Sequence, residues 1–364
     1  MGKIRLGVIG VGNMGKAHIN NIIQGKCPEI EVTAVSDISP DSLNWARENI
    51  SDVPRFALSE ELMDSKLIDS VLITTPHYDH PELAISAFGR GLNVMIEKPS
   101  GVYTAQVREM NRVAAKTDVV FGIMYNQRTD HVYRKMREII KSGELGEIRR
   151  TSWIVTDWYR PQAYYDSGGW RAKWKTEGGG VLLNQCPHNF DLWQWICGMP
   201  KTVCAHLHFG KWRDIEVEDD ATAYVEYENG ATGIFVTTTG DPTGVNRFEI
   251  TLSGGKLLAE NGKLIKHKLC MPENEFTRVN KEPYAVPESE VTQVETDGRS
   301  EQHPEVLNAF AGAVLHGKPL IAKGEEGING LTISNAMHLS AWTGKSITLP
   351  LDEELFYSEL KKRI

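Results

Sequence analysis

Apolar residues in the first 125 positions come in short unbroken runs, while those beyond about residue 147 alternate with polar ones. Residues 4–9, 32–36, 70–73, 94–96 and 119–124 have the composition of strands buried in a sheet. Helical spacing fills the gaps, at Ala17, Ile19, Ile22 and Ile23 and over residues 40–49, 81–90 and 104–116. Strands and helices in strict alternation predict a parallel sheet with right-handed crossovers. A helix over residues 130–142 then leads into a different pattern. Residues 223–228 turn at Asn229-Gly230 into residues 232–236, and Asn-Gly between alternating runs signals a hairpin. Strands near 203–209, 247–252 and 263–268 extend that hairpin to an open, mostly antiparallel sheet. Helices return at 304–316 and 325–343, and the polar stretch 272–299 is the expected mobile region. The expected fold class is therefore α/β: a doubly wound parallel sheet over residues 1–126, then a second α/β domain over 127–364.

Composition narrows the classes of function. A chain of 364 residues is long enough for two cores. A formal charge of −8 speaks against nucleic-acid or anionic-membrane partners, which need a basic stripe. No stretch has the length and apolarity of a membrane span, and no signal-peptide core precedes the first strand. Cys27, Cys186, Cys197, Cys204 and Cys270 are odd in number and form no C-x-x-C pair, so they read as reduced thiols of a cytoplasmic protein.

Four stretches carry chemistry. Gly10-Val11-Gly12-Asn13-Met14-Gly15 is G-x-G-x-x-G between a strand and a helix, the context in which that motif holds a dinucleotide. Gly10 permits the turn, Gly12 lets a pyrophosphate reach the backbone, and Gly15 lets helix and strand pack closely. The helix N-terminus offers free N–H groups and a positive dipole end. The second strand ends in Asp37, placed to bind ribose hydroxyls and to repel a 2′-phosphate; NAD is expected over NADP. A third strand opens into Thr74-Thr75-Pro76 and His80, the last read equally as a ligand contact or a helix cap. A fourth ends at Glu97-Lys98-Pro99, at the mouth of the sheet where ligands of such folds bind. Alone, that pair reads more readily as a solvated strand end.

In the second half, Gly178-Gly179-Gly180 leads to Asn184, His188 and Asp191, spaced i, i+4, i+7 on one helix face. Pro187 should kink that helix or start a new one. A core histidine satisfied by Asp191 is the plainer alternative. Cys204, His206 and His208 share one face of a strand, but ligands along a strand splay instead of converging, so no metal is assigned. The tryptophan-rich run 153–174 lacks a basic groove for base stacking and reads as a sugar platform or as packing.

Together the Gly10-x-Gly12-x-x-Gly15 turn, Asp37, Thr74-Thr75-Pro76 with His80, Glu97-Lys98-Pro99 and the Gly-Gly-Gly…Asn184…His188 stretch resemble the glucose–fructose oxidoreductase / inositol dehydrogenase (Gfo/Idh/MocA) family. The resemblance covers nearly the whole chain. It implies an N-terminal Rossmann domain, a C-terminal domain whose open sheet often joins homo-oligomers (dimers or tetramers), and NAD(P)-dependent oxidation or reduction of sugars and cyclic polyols. By position, Lys98 and His188 match the family's catalytic pair. Asn184 falls where many members have an aspartate, so no carboxylate there assists His188. The resemblance further implies cofactor contacts from Gly10, Gly12, Asn13, Met14, Asp37, Thr75, Pro76, His80, Glu97, Lys98, Asn126, Trp170 and Arg171. His303 sits where related chains often have a substrate-facing tyrosine, and Asn184, Asp157 and Tyr159 are further substrate candidates. The family also holds glycosidases that use tightly bound NAD in an oxidation–elimination–reduction cycle, and a non-catalytic sugar or dinucleotide sensor is the remaining alternative.

Overall fold

The computed structural model describes residues 2–364, and the chain parts into two compact units. One runs to Thr129 and also takes in Thr176–Gly178 and Glu301–Leu331; the other comprises Asp130–Lys175, Gly179–Ser300 and Thr332–Ile364. The expected division at residue 126 has a single boundary. This partition has several, because late segments return to the first unit.

The first unit contains β1 (Ile4–Ile9), α1 (Asn13–Ile23), β2 (Ile30–Ser36), α2 (Pro40–Asn49), β3 (Arg55–Phe56), α3 (Ser59–Asp64), β4 (Ser70–Ile73), α4 (Asp79–Phe88), β5 (Asn93–Ile96), α5 (Thr104–Ala114) and β6 (Phe121–Ile123). The six strands are all parallel, in the order β3-β2-β1-β4-β5-β6. Every residue of β4 is buried, the signature of a strand covered on both faces. Chain order reverses between β1 and β4, so the crevice beyond their carboxyl ends is where such folds bind ligands. On α1 the buried positions are Gly15, His18, Ile19 and Ile22, a continuous stripe at helical spacing. One member of that stripe is a histidine.

The second unit begins with α6 (His131–Ser142), capped by the Asp130 carboxylate, which accepts from Val132 N at 2.9 Å, and ended by Gly143 at φ +73°. There follow β7 (Ile148–Val155), α7 (Gln162–Asp166), α8 (Val181–Asn184), α9 (Pro187–Cys197), β8 (Thr202–Phe209), β9 (Glu218–Glu226), β10 (Thr232–Thr238), β11 (Asn246–Leu252), β12 (Gly255–Glu260), β13 (Lys263–Leu269), α10 (Glu273–Val279) and β14 (Ser289–Gln293). Helix α11 (His303–His316) belongs to the first unit, and α12 (Gly327–Thr343), β15 (Ile347–Thr348) and α13 (Glu353–Lys361) complete the chain. The nine strands run β14-β13-β12-β11-β7-β10-β9-β8-β15, and every pairing except β7 with β10 is antiparallel.

One face of this sheet is packed around Trp153, Phe235 and Phe248, with Trp153 and Phe248 stacked at 4.2 Å. Register places Tyr224, Ile234, Val236 and Ile154 on the adjacent strands β9, β10 and β7 of the opposite face, with Leu258 on β12 beyond Arg247 and Glu249 of β11; the apolar ones are half-buried or exposed.

Two stretches take forms that pattern alone does not give. The stretch 272–299 is not uniformly irregular: it holds α10 and β14, the latter paired with β13 from Ile265↔Gln293 to Leu269↔Ser289. As an outermost strand, β14 buries no residue on either face, so it has no alternation to read. Nor do Asn184, His188 and Asp191 lie on one helix. Pro187 starts a second helix after a break at Gln185-Cys186, and Asp191 is buried.

Candidate active site

At the carboxyl ends of β1, β2 and β4 the backbone is knotted together. Gly10 N donates to Ser36 O at 2.8 Å, Thr74 N to Ile9 O at 2.8 Å, and Thr74 Oγ1 to Gly10 O at 2.5 Å. Gly10 has φ +94°, and a side chain on it would meet the Thr74 carbonyl. A Cβ on Gly15 would collide with Gly10 O, so this glycine is what brings α1 against the turn. Gly12 differs from both, since a Cβ there meets nothing within 4 Å. The backbone is bare above Gly12, and the N-terminus of α1 has neither a side-chain cap nor an acidic residue in its first turn. An anion fits such a place. Asp37 is half-buried beside it; its carboxylate accepts from Val11 N at 2.6 Å and from Ser39 N at 2.7 Å.

From Val94 to Val102 every residue is buried except Lys98, which follows β5 in a cis Lys98–Pro99 peptide. Glu97 is 4% exposed, accepts Lys98 N at 3.0 Å, and lies 2.7 Å from His18 Nε2. Burial by itself would raise its pKa. The hydrogen bond with His18 and the charges of His18, Lys98 and His303 outweigh that and hold it at about 2. His303, at the start of α11, packs edge-on to His18 at 5.3 Å, and burial lowers its pKa against the opposing pull of Glu97. Asn126 donates Nδ2 to Gln302 Oε1 at 2.5 Å, while its buried Oδ1 has no partner, an acceptor suited to a ligand N–H. The Thr75 hydroxyl is likewise buried without a partner.

His80 lies inside α4, 1% exposed, with Nδ1 2.7 Å from Pro99 O and Nε2 2.8 Å from Thr75 O. Burial holds its pKa down despite those carbonyls. Both ring nitrogens face backbone carbonyls. The residue braces the two loops that carry Thr75 and Lys98.

In the second unit Gly180 N and Leu182 N donate to Glu218 Oε1 at 2.8 and 2.9 Å, so a fully buried carboxylate caps α8. His338 Nε2 lies 3.0 Å from the other oxygen of Glu218. Of the positions of this unit from Gly179 to Trp193, only Asn184 and His188 are not buried. Two polar side chains are therefore the partly exposed ones of an otherwise buried stretch. Trp158 Nε1 donates to Asn189 Oδ1 at 3.3 Å, and Gln185 Nε2 to Tyr164 Oη at 3.2 Å, so the loop after β7 is tied beside both. In that loop Arg171 lies 4.7 Å over Trp170 and 4.8 Å over Tyr164. Asp157 and Tyr159 are exposed at its start.

His18, Gln302, Glu218 and His338 did not emerge from the sequence. His18 alone left a signal there, as a polar residue at a core position of α1. Glu218 leaves no comparable one, because the acidic run 218–220 looks like a solvated strand end.

A dinucleotide-binding parallel sheet with an accessible lysine at a strand end, accompanied by a unit presenting an amide and an imidazole, defines an NAD-dependent oxidoreductase. Residues 4–125 match the family model described as oxidoreductase family, NAD-binding Rossmann fold, and residues 133–258 match the GFO/IDH/MocA C-terminal domain. The chain belongs to the GFO/IDH/MocA family. It is 24% identical over 354 residues to a myo-inositol 2-dehydrogenase of Thermotoga maritima, covering 95% of this chain and 98% of that protein. It is 27% identical over 349 residues to a 1,5-anhydro-D-fructose reductase of Ensifer adhaerens, covering 94% and 97%. Among solved structures it is similar to the WlbA dehydrogenase of Chromobacterium violaceum in complex with NADH and UDP-GlcNAcA, with TM-score 0.83, 26% identity and coverage of 96% and 97%.

Proposed function

We propose that the protein is an NAD-dependent dehydrogenase acting on a ring carbinol of a sugar, glycoside or inositol-like polyol. The accessibility pattern carries the reading: Lys98, Asn184 and His188 are the partly exposed polar groups of stretches that are otherwise closed. The names of the relatives, an inositol dehydrogenase and a sugar reductase among them, support the substrate class. Bound at Gly10, Gly12, Asn13, Met14 and Asp37, with Thr75, Pro76, Asn126, Trp170 and Arg171 as further contacts, the nicotinamide cofactor supplies the hydride acceptor. The Asp37 carboxylate favours NAD, since a 2′-phosphate would be repelled by it.

Glu97 is ionised at neutral pH, and the charge of Lys98 is among those that keep it so. Lys98 then stabilises the developing alkoxide, and His188 takes the hydroxyl proton. Asn184 holds a substrate hydroxyl; as an amide it cannot support an imidazolium as a carboxylate would. His303 addresses the same substrate from the start of α11. The half-exposed apolar row Tyr224, Ile234, Ile154 and Val236 is the face on which a second copy of the chain would dock.

The test is NADH formation across inositols, free hexoses and glucosides, with Lys98→Met and His188→Ala compared at matched NAD occupancy. Both variants should lose at least about a hundredfold in kcat, within the range typical of acid–base groups. Near-normal turnover in both overturns the assignment.

A further inference from the structure

Two exposed rings at the end of the second unit's sheet are held far more firmly than solvation requires. Trp212 is 49% and Tyr159 41% exposed, and both line a cleft of about 490 Å³ together with Gln162, Lys211, Arg213 and Asp214. The cleft is shallow and open to solvent, so a ligand there would lie along the surface instead of being enclosed.

The walls are preorganised from beneath. The carboxylate of Asp219, itself fully buried, accepts Lys211 N at 3.0 Å, Trp212 N at 2.7 Å and Arg213 N at 3.2 Å, fixing the loop between β8 and β9. Trp212 Nε1 donates to Asp220 Oδ2 at 3.2 Å, and the indole lies against Gly240, where any Cβ would collide with it. Across the cleft, Arg213 Nε donates to Arg160 O at 2.7 Å, and its guanidinium sits 5.2 Å over the Tyr159 ring. Gln162 Oε1 accepts Asp214 N at 3.0 Å, which joins the two walls.

The lining chemistry selects the ligand. Rigid aromatic faces stack on the C–H face of a pyranose at small entropic cost, while guanidinium, amide and carboxylate groups suit its hydroxyls. Charge is nearly balanced: Lys211 is paired with Asp220 at 3.1 Å, and Arg213 adjoins Asp214. A phosphorylated ligand would want an unpaired cationic cluster instead.

We propose that this cleft is a carbohydrate subsite for a second pyranose ring, glycosidically linked to the ring that is oxidised. The placement rests on the functional reading above. The loop carrying Trp158, Tyr159 and Tyr164 is bonded on one flank to Asn189 and Gln185, the neighbours of His188 and Asn184, and on the other forms the cleft wall. A disaccharide or glycoside is thus the substrate class that uses the whole surface.

The experiment is saturation-transfer NMR of the full chain with maltose, cellobiose, lactose and glucose as probes, repeated on Trp212→Ala and Tyr159→Ala. At least one disaccharide should bind the wild type about tenfold tighter than glucose, and each variant should weaken that disaccharide about tenfold, with glucose unaffected in Trp212→Ala. Trp212→Phe, which keeps a ring, should restore most of the loss. If no disaccharide outbinds glucose, or if both alanine variants bind it as the wild type does, the subsite is refuted while sugar-dependent NADH formation still stands. Absence of turnover with any sugar would instead refute the functional reading and leave the binding result intact.

Discussion

Replacing His18 by leucine tests how the buried carboxylate beneath Lys98 is held. Glu97 has a pKa of about 2 against 4.5 for an ordinary glutamate, a difference that corresponds to about 3 kcal/mol of folding free energy. Because the folded-state pKa is depressed, the contribution is fully present above about pH 4.5 and is lost as pH falls through about 2. The hydrogen bond with His18 is the largest of the lowering influences. His18→Leu therefore leaves a carboxylate ionised in an apolar setting, and the loss at neutral pH should be about 3 kcal/mol. Glu97→Leu alone should cost less, since it removes the buried carboxylate itself instead of leaving it without its partner. The double variant should recover much of the His18→Leu loss, because an apolar pair of similar volume replaces the buried charges. Amide exchange over β1 and α1, followed by mass spectrometry, reads the opening of this unit alone. An exchange free energy within about 0.5 kcal/mol of wild type for His18→Leu, or a double variant no better than the single one, would refute the reasoning.

Three further outcomes follow from the site. Gly12→Ala should fold with an unchanged melting temperature yet lose NAD affinity about a hundredfold, because its methyl group meets only the space a pyrophosphate needs; Gly15→Ala should lose both, since its methyl group meets Gly10 O. Calorimetry and NAD titration separate the two. Lowering the pH from 7 to 5.5 should destabilise the first unit. His80 and His303 have depressed pKa values, so below about 6.5 the unfolded chain binds more protons than the folded one; a flat denaturation midpoint over that range contradicts this. Glu218→Ala removes the acceptor of Gly180 N and Leu182 N and should lower kcat at least tenfold with NAD affinity intact. A change confined to NAD affinity would show that Glu218 does not support Asn184 and His188.

The parallel sheet was legible in the sequence because strands covered on both faces must be largely apolar, as residues 71–73 of β4 and 94–96 of β5 are. The glycine turn was legible for a related reason, since each glycine answers a separate steric demand. The hairpin at Asn229-Gly230 was readable because its turn permits few residues. What escaped is long-range. His80 read equally as a ligand contact or a cap, because nothing local reveals that two carbonyls, from Thr75 and Pro99, close on its ring. Glu218 is separated by nearly forty positions from the amides it holds. The i, i+4, i+7 spacing of Asn184, His188 and Asp191 does not put them on one helix, because Pro187 starts a new one, as a proline there can.

Asp37 bears on any attempt to redesign coenzyme preference. The same two oxygens that would discriminate between dinucleotides are also struts for the Val11 and Ser39 amides. Exchanging the carboxylate for a small neutral residue would therefore slacken the turn at the moment it opened room for an extra phosphate. A successful swap must supply a substitute acceptor along with the new cation, and single replacements at this position should yield a poorer enzyme with either coenzyme.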